Sequence, residues 1–357
     1  MAQAAPPEPR EAPTRRALQD LANQVAGEVR LDAHDRMLYA TDASLYQVEP
    51  LGVVIPADTD DAARALRVCA THGVPVLPRG GGTSLAGQCT NRAIVLDLSV
   101  NCTGLLGVDA EARTCRVEPG ITVDDLNDAL SRMGGEEAGL FFAPDPATSR
   151  HANIGGCIGN NAAGARSILY GRTSENILAI DAALADGERV TLREGASNHS
   201  PRVAALTRAV CEIVAAHAPA IRERFPKTVR RNAGYGLDMM LAQMERAGWR
   251  DGAPLTPEVL KGVNLAHLLC GSEGTLALTL GATLRLYPRP GAKGLAVLGF
   301  DSVDAAIAAV LPILTTRPSA VELLDDTVIE LARANTQCRG YVDLMPRPEQ
   351  GRLSAVL

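Results

Sequence analysis

Pro78-Arg79-Gly80-Gly81-Gly82-Thr83-Ser84-Leu85-Ala86-Gly87-Gln88 directly follows the apolar run Val74-Pro75-Val76-Leu77, so three consecutive glycines begin where a strand ends. Without Cβ atoms such a turn can take positive φ, and its successive N–H groups can converge into a concave anion site. Thr83 and Ser84 add hydroxyl donors and Arg79 adds a fixed positive charge. Many short donors, little bulk and one cation suit a diphosphate. Two familiar phosphate motifs are excluded. G-x-G-x-x-G breaks at Leu85, and a P-loop would need Lys-Ser/Thr where Gln88-Cys89 stands. An ordinary surface turn is the alternative that the flanking chain must decide.

Upstream, residues 52–56 read as a strand. Asp58 or Thr59 caps a helix with Ala62, Ala65, Leu66 and Cys69 on its apolar face, and Gly73 ends it. With the 74–77 strand this makes a β-α-β unit, its loop placed where α/β proteins hold ligands. Before it, residues 15–26 have helical spacing and 39–46 form a polar, irregular lead-in. Residues 1–14, rich in Ala, Pro, Glu and Arg, read as a disordered leader without the apolar core of a secretory signal.

Downstream, strands are expected at 93–98 and 115–118, then a Thr122-capped helix ending at Met133-Gly134-Gly135. Residues 140–144 bring Phe141 and Phe142 to the turn Asp145-Pro146. The second informative stretch, 154–164, holds four glycines and two asparagines in eleven positions. It reads either as backbone lying flat against a planar ligand or as a close helix contact. Asp186-Gly187 marks a hairpin, 203–218 a helix, and the basic segment 222–232 a solvated helix face, with anion binding as the alternative. Residues 268–270 read as a strand entering Gly271-Ser-Glu-Gly-Thr275, followed by strand-like runs 276–280 and 282–286. Pro288, Pro290 and Gly291 mark a boundary. Beyond it come a strand at 294–300, a helix at 303–314 capped by Asp301 or Ser302, helical 321–334, and an apolar strand-like end at 354–357 with no evident partner.

Bulk properties narrow the function classes. The 357 residues suit about two domains. A net charge of −6 and 3% aromatics argue against nucleic-acid binding, and no apolar run is long enough for a transmembrane segment. Eight scattered cysteines without a C-x-x-C pair imply reduced, mostly buried thiols and no metal or iron–sulfur site. That composition points to a cytoplasmic chain, with attachment to a membrane surface left open.

PRGGGTSLAGQ (78–88), PDPATSRHANIGGCIGNNAAGARSILYGRT (144–173), the strand into LADG (184–187) and GSEGT (271–275) together resemble one family. It is the FAD-binding PCMH-type (vanillyl-alcohol-oxidase-like) flavoproteins, in the FAD-linked D-2-hydroxyacid dehydrogenase branch, and the likeness covers roughly residues 36–335. The resemblance implies an α+β, two-subdomain PCMH-type FAD-binding fold over 47–290. A helix and lead-in (15–46) would precede it, and the start of an α/β cap domain (291–357) would follow. It implies non-covalent FAD, because Thr83 and Ser84 stand where relatives with attached flavin often place His. Arg79, Gly80, Gly81, Gly82, Thr83 and Ser84 would hold the pyrophosphate, with Gly87 and Gln88 nearby. Pro144 and Asp145 would lie along the ribityl–isoalloxazine side, and Gly155, Gly156, Asn160 and Gly164 along the flavin and diphosphate. Tyr170, Gly171 and the strand from Ile177 would approach the adenosine, and Glu273 and Gly274 would close the pocket. The implied reaction is oxidation of a lactate-, glycolate- or 2-hydroxyglutarate-class acid by hydride transfer from Cα to flavin N5. Alcohol or sugar-lactone oxidation and a FAD-binding module needing a partner half are the alternatives. The family's H-x-G-D-G-N-x-H segment, which carries its base and metal ligands, is not in this sequence. The catalytic residues are therefore unassigned, and the chain reads as a C-terminally truncated form of a longer enzyme. An iron–sulfur domain or subunit is an open partner, and the electron acceptor is open.

Overall fold

The computed structural model describes residues 11–228, 230–346 and 353–357. The chain opens with α1 (Glu11–Gln24), β1 (Glu28–Arg30) and α2 (Ala33–Leu38). Then come β2 (Gly52–Ile55), α3 (Thr59–His72), β3 (Val76–Arg79) and β4 (Ile94–Asp97). They form a four-stranded sheet in the order β1-β2-β4-β3, parallel except for β1. β2 and β4 bury every residue, as strands covered on both faces must. Asp58 caps α3 by accepting the Asp61 N–H, and Gly73 ends it in the left-handed region at φ 64°. The β-α-β unit stands, with β4 inserted between its two strands.

The next elements are β5 (Leu105–Asp109), β6 (Thr114–Val117), α4 (Val123–Arg132), β7 (Leu140–Phe141), α5 (Ile154–Asn160) and α6 (Ser167–Tyr170). They are followed by β8 (Ile177–Leu184), β9 (Arg189–Arg193), α7 (Pro201–Ala216), α8 (Ala218–Arg224) and α9 (Leu237–Arg246). α10 (Pro257–Lys261), α11 (Ala266–Leu269), β10 (Ala277–Arg285) and β11 (Tyr287–Pro288) complete this part. An antiparallel sheet, β5-β6-β10-β8-β9, packs the helices over one core that includes Leu126, Phe142, Ile158, Ile180, Met240 and Trp249. A second core joins α1 and α3 to the first sheet and includes Ala183, Leu278 and Leu280, so β8 and β10 belong to both halves of the fold.

Beyond β11, the chain forms β12 (Gly299–Phe300), α12 (Val303–Leu314), β13 (Leu324–Asp325), α13 (Asp326–Ala334), α14 (Arg339–Val342) and β14 (Ala355–Val356). Several expectations are corrected here. α1 already starts at Glu11, inside the expected leader, while residues 1–10 lie outside the described residues. Residues 266–269 form a helix, not a strand, and only 299–300 of the 294–300 run pair as a strand. The terminal strand does have partners, since β14 sits between β12 and β13. Among the described residues no single helix is long and apolar enough to cross a membrane. α7 and α8 pass only as a pair bent by 67°, and they bury Val203, Cys211, Val214, Ala218 and Ile221 in the core.

Asp61 fastens the N-terminal helix to this frame. Its buried carboxylate accepts the N–H groups of Ala26 (2.9 Å), Gly27 (2.9 Å) and Ala57 (3.0 Å) and pairs with Arg64 at 2.7 Å. Burial pushes its pKa upward, but the three backbone donors and Arg64 outweigh burial and hold it below the ordinary value. A lowered folded pKa gives stability that is present above the unfolded value and fades as pH falls through the folded one. Asp61→Ala is expected to destabilise the protein by about 2–4 kcal/mol at neutral pH. In urea titrations the gap to wild type should narrow below about pH 4; a gap constant from neutral pH down to well below that value would refute the assignment.

Candidate functional site

The carboxyl end of β3 delivers the glycine loop to a cleft open to solvent. The loop supplies one wall through Arg79, Gly80, Ser84 and Gln88. α5 supplies the second through Gly155, Gly156 and Asn160, and the turn before β10 supplies the third through Ser272, Glu273 and Gly274. Nine of the residues expected to hold the cofactor thus line one space: Arg79, Gly80, Ser84, Gln88, Gly155, Gly156, Asn160, Glu273 and Gly274.

The loop's shape follows from close backbone approach. A Cβ on Gly81 would lie 2.1 Å from the His151 carbonyl oxygen, and one on Gly80 would lie 2.5 Å from the Asn153 Oδ1. Gly82 takes φ 64° and Gly87 φ 81°, the left-handed region that favours glycine. Buried Asn153 accepts the Gly81 N–H at 2.5 Å and donates through Nδ2 to the Gly120 carbonyl. Sequence reasoning missed Asn153: its only visible signal was its place just ahead of a helix, and its side chain caps nothing there. His151, by contrast, has an exposed side chain and meets the loop only through its carbonyl.

α5 makes the close contact expected of the small-residue stretch and leaves open space at its next glycine. Gly155 is the close contact: its Cβ would sit 2.9 Å from the Pro119 side chain, and its N–H donates to Pro119 O at 2.8 Å. Gly156 has nothing within 4 Å of a Cβ position and leaves the cleft wall flat. Glu273 closes the opposite side in left-handed conformation, φ 50°. Its N–H donates to Gly159 O at 2.9 Å, and its carboxylate accepts from Gln88 (3.3 Å) and Asn160 (3.4 Å). A non-glycine residue at positive φ is strain of the kind that gathers at functional sites.

The remaining expected residues fall elsewhere. Gly81, Gly82, Thr83 and Gly87 complete the loop. Pro144, Asp145, Gly164, Tyr170 and Gly171 belong to a neighbouring cluster rather than to the cleft lining. Asp145 pairs with Arg166 at 2.8 Å, and Gly164 lies so close that its Cβ would meet the Asp145 carbonyl at 2.0 Å. The Tyr170 ring meets Phe141 edge-on at 5.6 Å and Tyr287 at 4.9 Å. Gly171 takes φ 78°. Ile177 points into the core, and its carbonyl faces His267 Nε2 at 2.9 Å. The basic segment is mostly loop, and several of its cations are paired, Arg222 at the surface. Arg222 pairs with Glu245 and Asp251, Arg231 with Asp238, and Arg230 donates to Ser167 and to Gly164 O. All eight cysteines are free thiols. Burial pushes Cys69, Cys102, Cys115, Cys157 and Cys270 up to about 12, which makes them inert packing groups.

The cleft fits a diphosphate-bearing cofactor with a planar ring. Among the described residues, the N–H groups of Gly82, Thr83, Ser84 and Leu85 have no acceptor within the protein, and Ser84 is the one of these four that lines the cleft. Successive donors of this kind require an anion or water, and the flat glycine wall of α5 admits a ring against backbone. Residues 50–193 match the family described as "FAD binding domain", and 289–352 match "FAD linked oxidases, C-terminal domain". D-2-hydroxyglutarate dehydrogenase of Pseudomonas putida is 32% identical over 338 residues, 92% of this chain and 32% of the relative. The enzyme of that name from Escherichia coli is 31% identical over 88% of this chain and 30% of the relative. The chain resembles the FAD-linked D-2-hydroxyacid dehydrogenases. Its cofactor is FAD. Glycolate oxidase subunit GlcD of Bacillus subtilis, 28% identical over 86% of this chain, shows a shorter version of the family, of which the chain spans 53%. Against the D-2-hydroxyglutarate dehydrogenases it spans about a third of their length. The solved structure of alkyldihydroxyacetonephosphate synthase shares the fold, with a TM-score of 0.62 at 17% identity over 99% of this chain and 57% of that one.

Gly81→Val is the direct test of the loop. Its side chain must displace the His151 backbone, so FAD affinity is expected to fall at least about 100-fold, read as loss of visible flavin absorbance after gel filtration. Gly134→Ala, whose Cβ meets nothing within 4 Å, should keep the cofactor. Full flavin retention by the Gly81 variant would return the loop to an ordinary turn.

Proposed function

We propose that this chain is the FAD-holding part of an enzyme that oxidises a D-2-hydroxyacid of the lactate, glycolate or 2-hydroxyglutarate class. The observation that carries the reading is the joining of a donor-rich glycine loop to the flat glycine wall of α5 in one cleft closed by Glu273. The relatives named above supply the substrate class. FAD, when bound, supplies the hydride acceptor for oxidation at the carbinol carbon. The chain's own part is to hold and orient it. The N–H groups of Gly82–Leu85 would take the diphosphate, Ser84 and Gln88 would add side-chain donors, and Gly155 and Gly156 would let the ring system lie against α5. Thr83 and Ser84 offer no imidazole for attachment, which supports non-covalent binding. Removal of the hydroxyl proton is assigned to none of these side chains.

A second reading, a FAD-binding module completed by a partner half, is favoured by the apolar surface of the C-terminal unit. There Ile307, Leu311 and Leu331 are 55%, 74% and 67% exposed. One experiment separates the two. The FAD-loaded protein is mixed anaerobically with D-2-hydroxyglutarate, D-lactate or glycolate, and with the L enantiomers of the chiral acids. Bleaching of the flavin by the D acid or glycolate but not by the L acids is the expected result. A loaded protein that no acid bleaches would overturn the first reading and favour the module; a protein that takes up no FAD would sink both.

A further inference from the structure

The glycine loop is gripped by a segment outside the β-α-β unit. Residues 39–48 leave α2 and fold back through a Val48 N–H to Ala40 O bond (2.8 Å) and a bridge between Thr41 and Gln47. They then lie along the loop. Ala43 N–H donates to Gly82 O at 3.0 Å, and Asp42 Oδ2 accepts the Cys89 N–H at 3.2 Å. Arg79 fastens this segment from beneath. Its Nη1 donates to Tyr39 O (3.1 Å) and Cys89 O (2.9 Å), and its Nη2 donates to Thr41 O (2.7 Å). The guanidinium carbon stands 5.4 Å from the centre of the Tyr39 ring. Tyr39 is anchored in turn, its hydroxyl donating at 2.7 Å to buried Asp97, the ladder partner of Arg79 on β4. A Cβ on Gly82 would lie 2.8 Å from Nη2, so the guanidinium passes directly under the left-handed turn of the loop.

A cation needed only to offset phosphate charge requires none of this geometry, and lysine would serve. A planar fork bonded to three carbonyls and set against a ring is fixed in direction before any ligand arrives. We propose that Arg79 is a positioning residue. It clamps 39–48 onto the glycine loop and so sets the shape in which the N–H groups of Gly82–Leu85 meet the cofactor, its charge being secondary. The proposal rests on the reading of this loop as the FAD diphosphate site.

Three variants test it: Arg79→Lys, Arg79→Met and Asp42→Ala. FAD affinity is read by quenching of flavin fluorescence. The clamp itself is read without cofactor, by chymotrypsin cleavage at Leu45 and Tyr46, which are already exposed. Lysine and methionine should weaken FAD binding alike, each by at least about tenfold, and both should speed cleavage of the FAD-free protein. Asp42→Ala removes a negative charge near the loop, so simple electrostatics calls for equal or tighter FAD binding; the clamp calls for weaker binding and faster cleavage. Two results would each overturn the proposal. One is a lysine variant within about threefold of wild type while methionine loses tenfold or more; the other is an Asp42→Ala variant that binds FAD as well as wild type. Failure of the underlying site reading shows differently, as FAD retention by Gly81→Val, and leaves the cleavage result intact.

Discussion

The carboxamide of Asn153 takes the Gly81 N–H and gives its own N–H to the Gly120 carbonyl, and the cleft depends on the close approach of chains that this bridge records. Gly81 faces the His151 carbonyl, and Gly120 faces the Leu98 carbonyl, with no room for a Cβ at either place (2.1 and 1.9 Å). Three stretches remote in sequence, 79–82, 97–102 and 119–121, are thereby drawn against the start of α5. A side chain at any of these glycines would push backbone against backbone, which cannot yield as a flexible side chain can. Gly81 and Gly120 are thus required for packing, and Gly82 for its left-handed φ.

What could be read from the sequence was local. The Asp58, Thr122 and Ser302 caps, the Gly73 stop and the Asp186-Gly187 hairpin each depend on residues within a few positions of one another, and each formed as expected. What could not be read was non-local or ambiguous in pattern. β5 carries Leu105 and Leu106 in a strand that is largely open to solvent, so it lacks an alternating signature. Leu268-Leu269-Cys270 is an apolar run too short to separate helix from strand. The partners of β14 lie tens of residues upstream, beyond any turn signal.

The site divides along the same line. The glycine loop and the 154–164 stretch announced themselves through composition, because absent side chains are visible in a sequence. The pieces that shape them, Asn153 and the Tyr39–Asp42 segment, are ordinary residues whose role exists only once the chain is folded. The grouping of Asp145 with Arg166 and the aromatic trio, apart from the cleft lining, likewise depends on a tertiary pairing that no spacing rule predicts.

Charge is spent on architecture here more than on the ligand. Arg172, Arg222 and Arg231 each pair with a carboxylate, Arg230 is bonded to a hydroxyl and a carbonyl, and Arg79 is bonded to three carbonyls. A protein with net charge −6 that must hold an anion has two ways to do so: gather cations, or aim backbone dipoles. Cations draw in any anion, including wrong ones, and their reach is cut by salt within about 10 Å. Backbone N–H groups fixed in one turn select by shape, and they keep their strength because the loop is ordered before binding. Fixing that turn takes an external hold, since three glycines in a row have more conformational freedom to lose than any other sequence. The arginine beneath the loop is best understood as meeting that need.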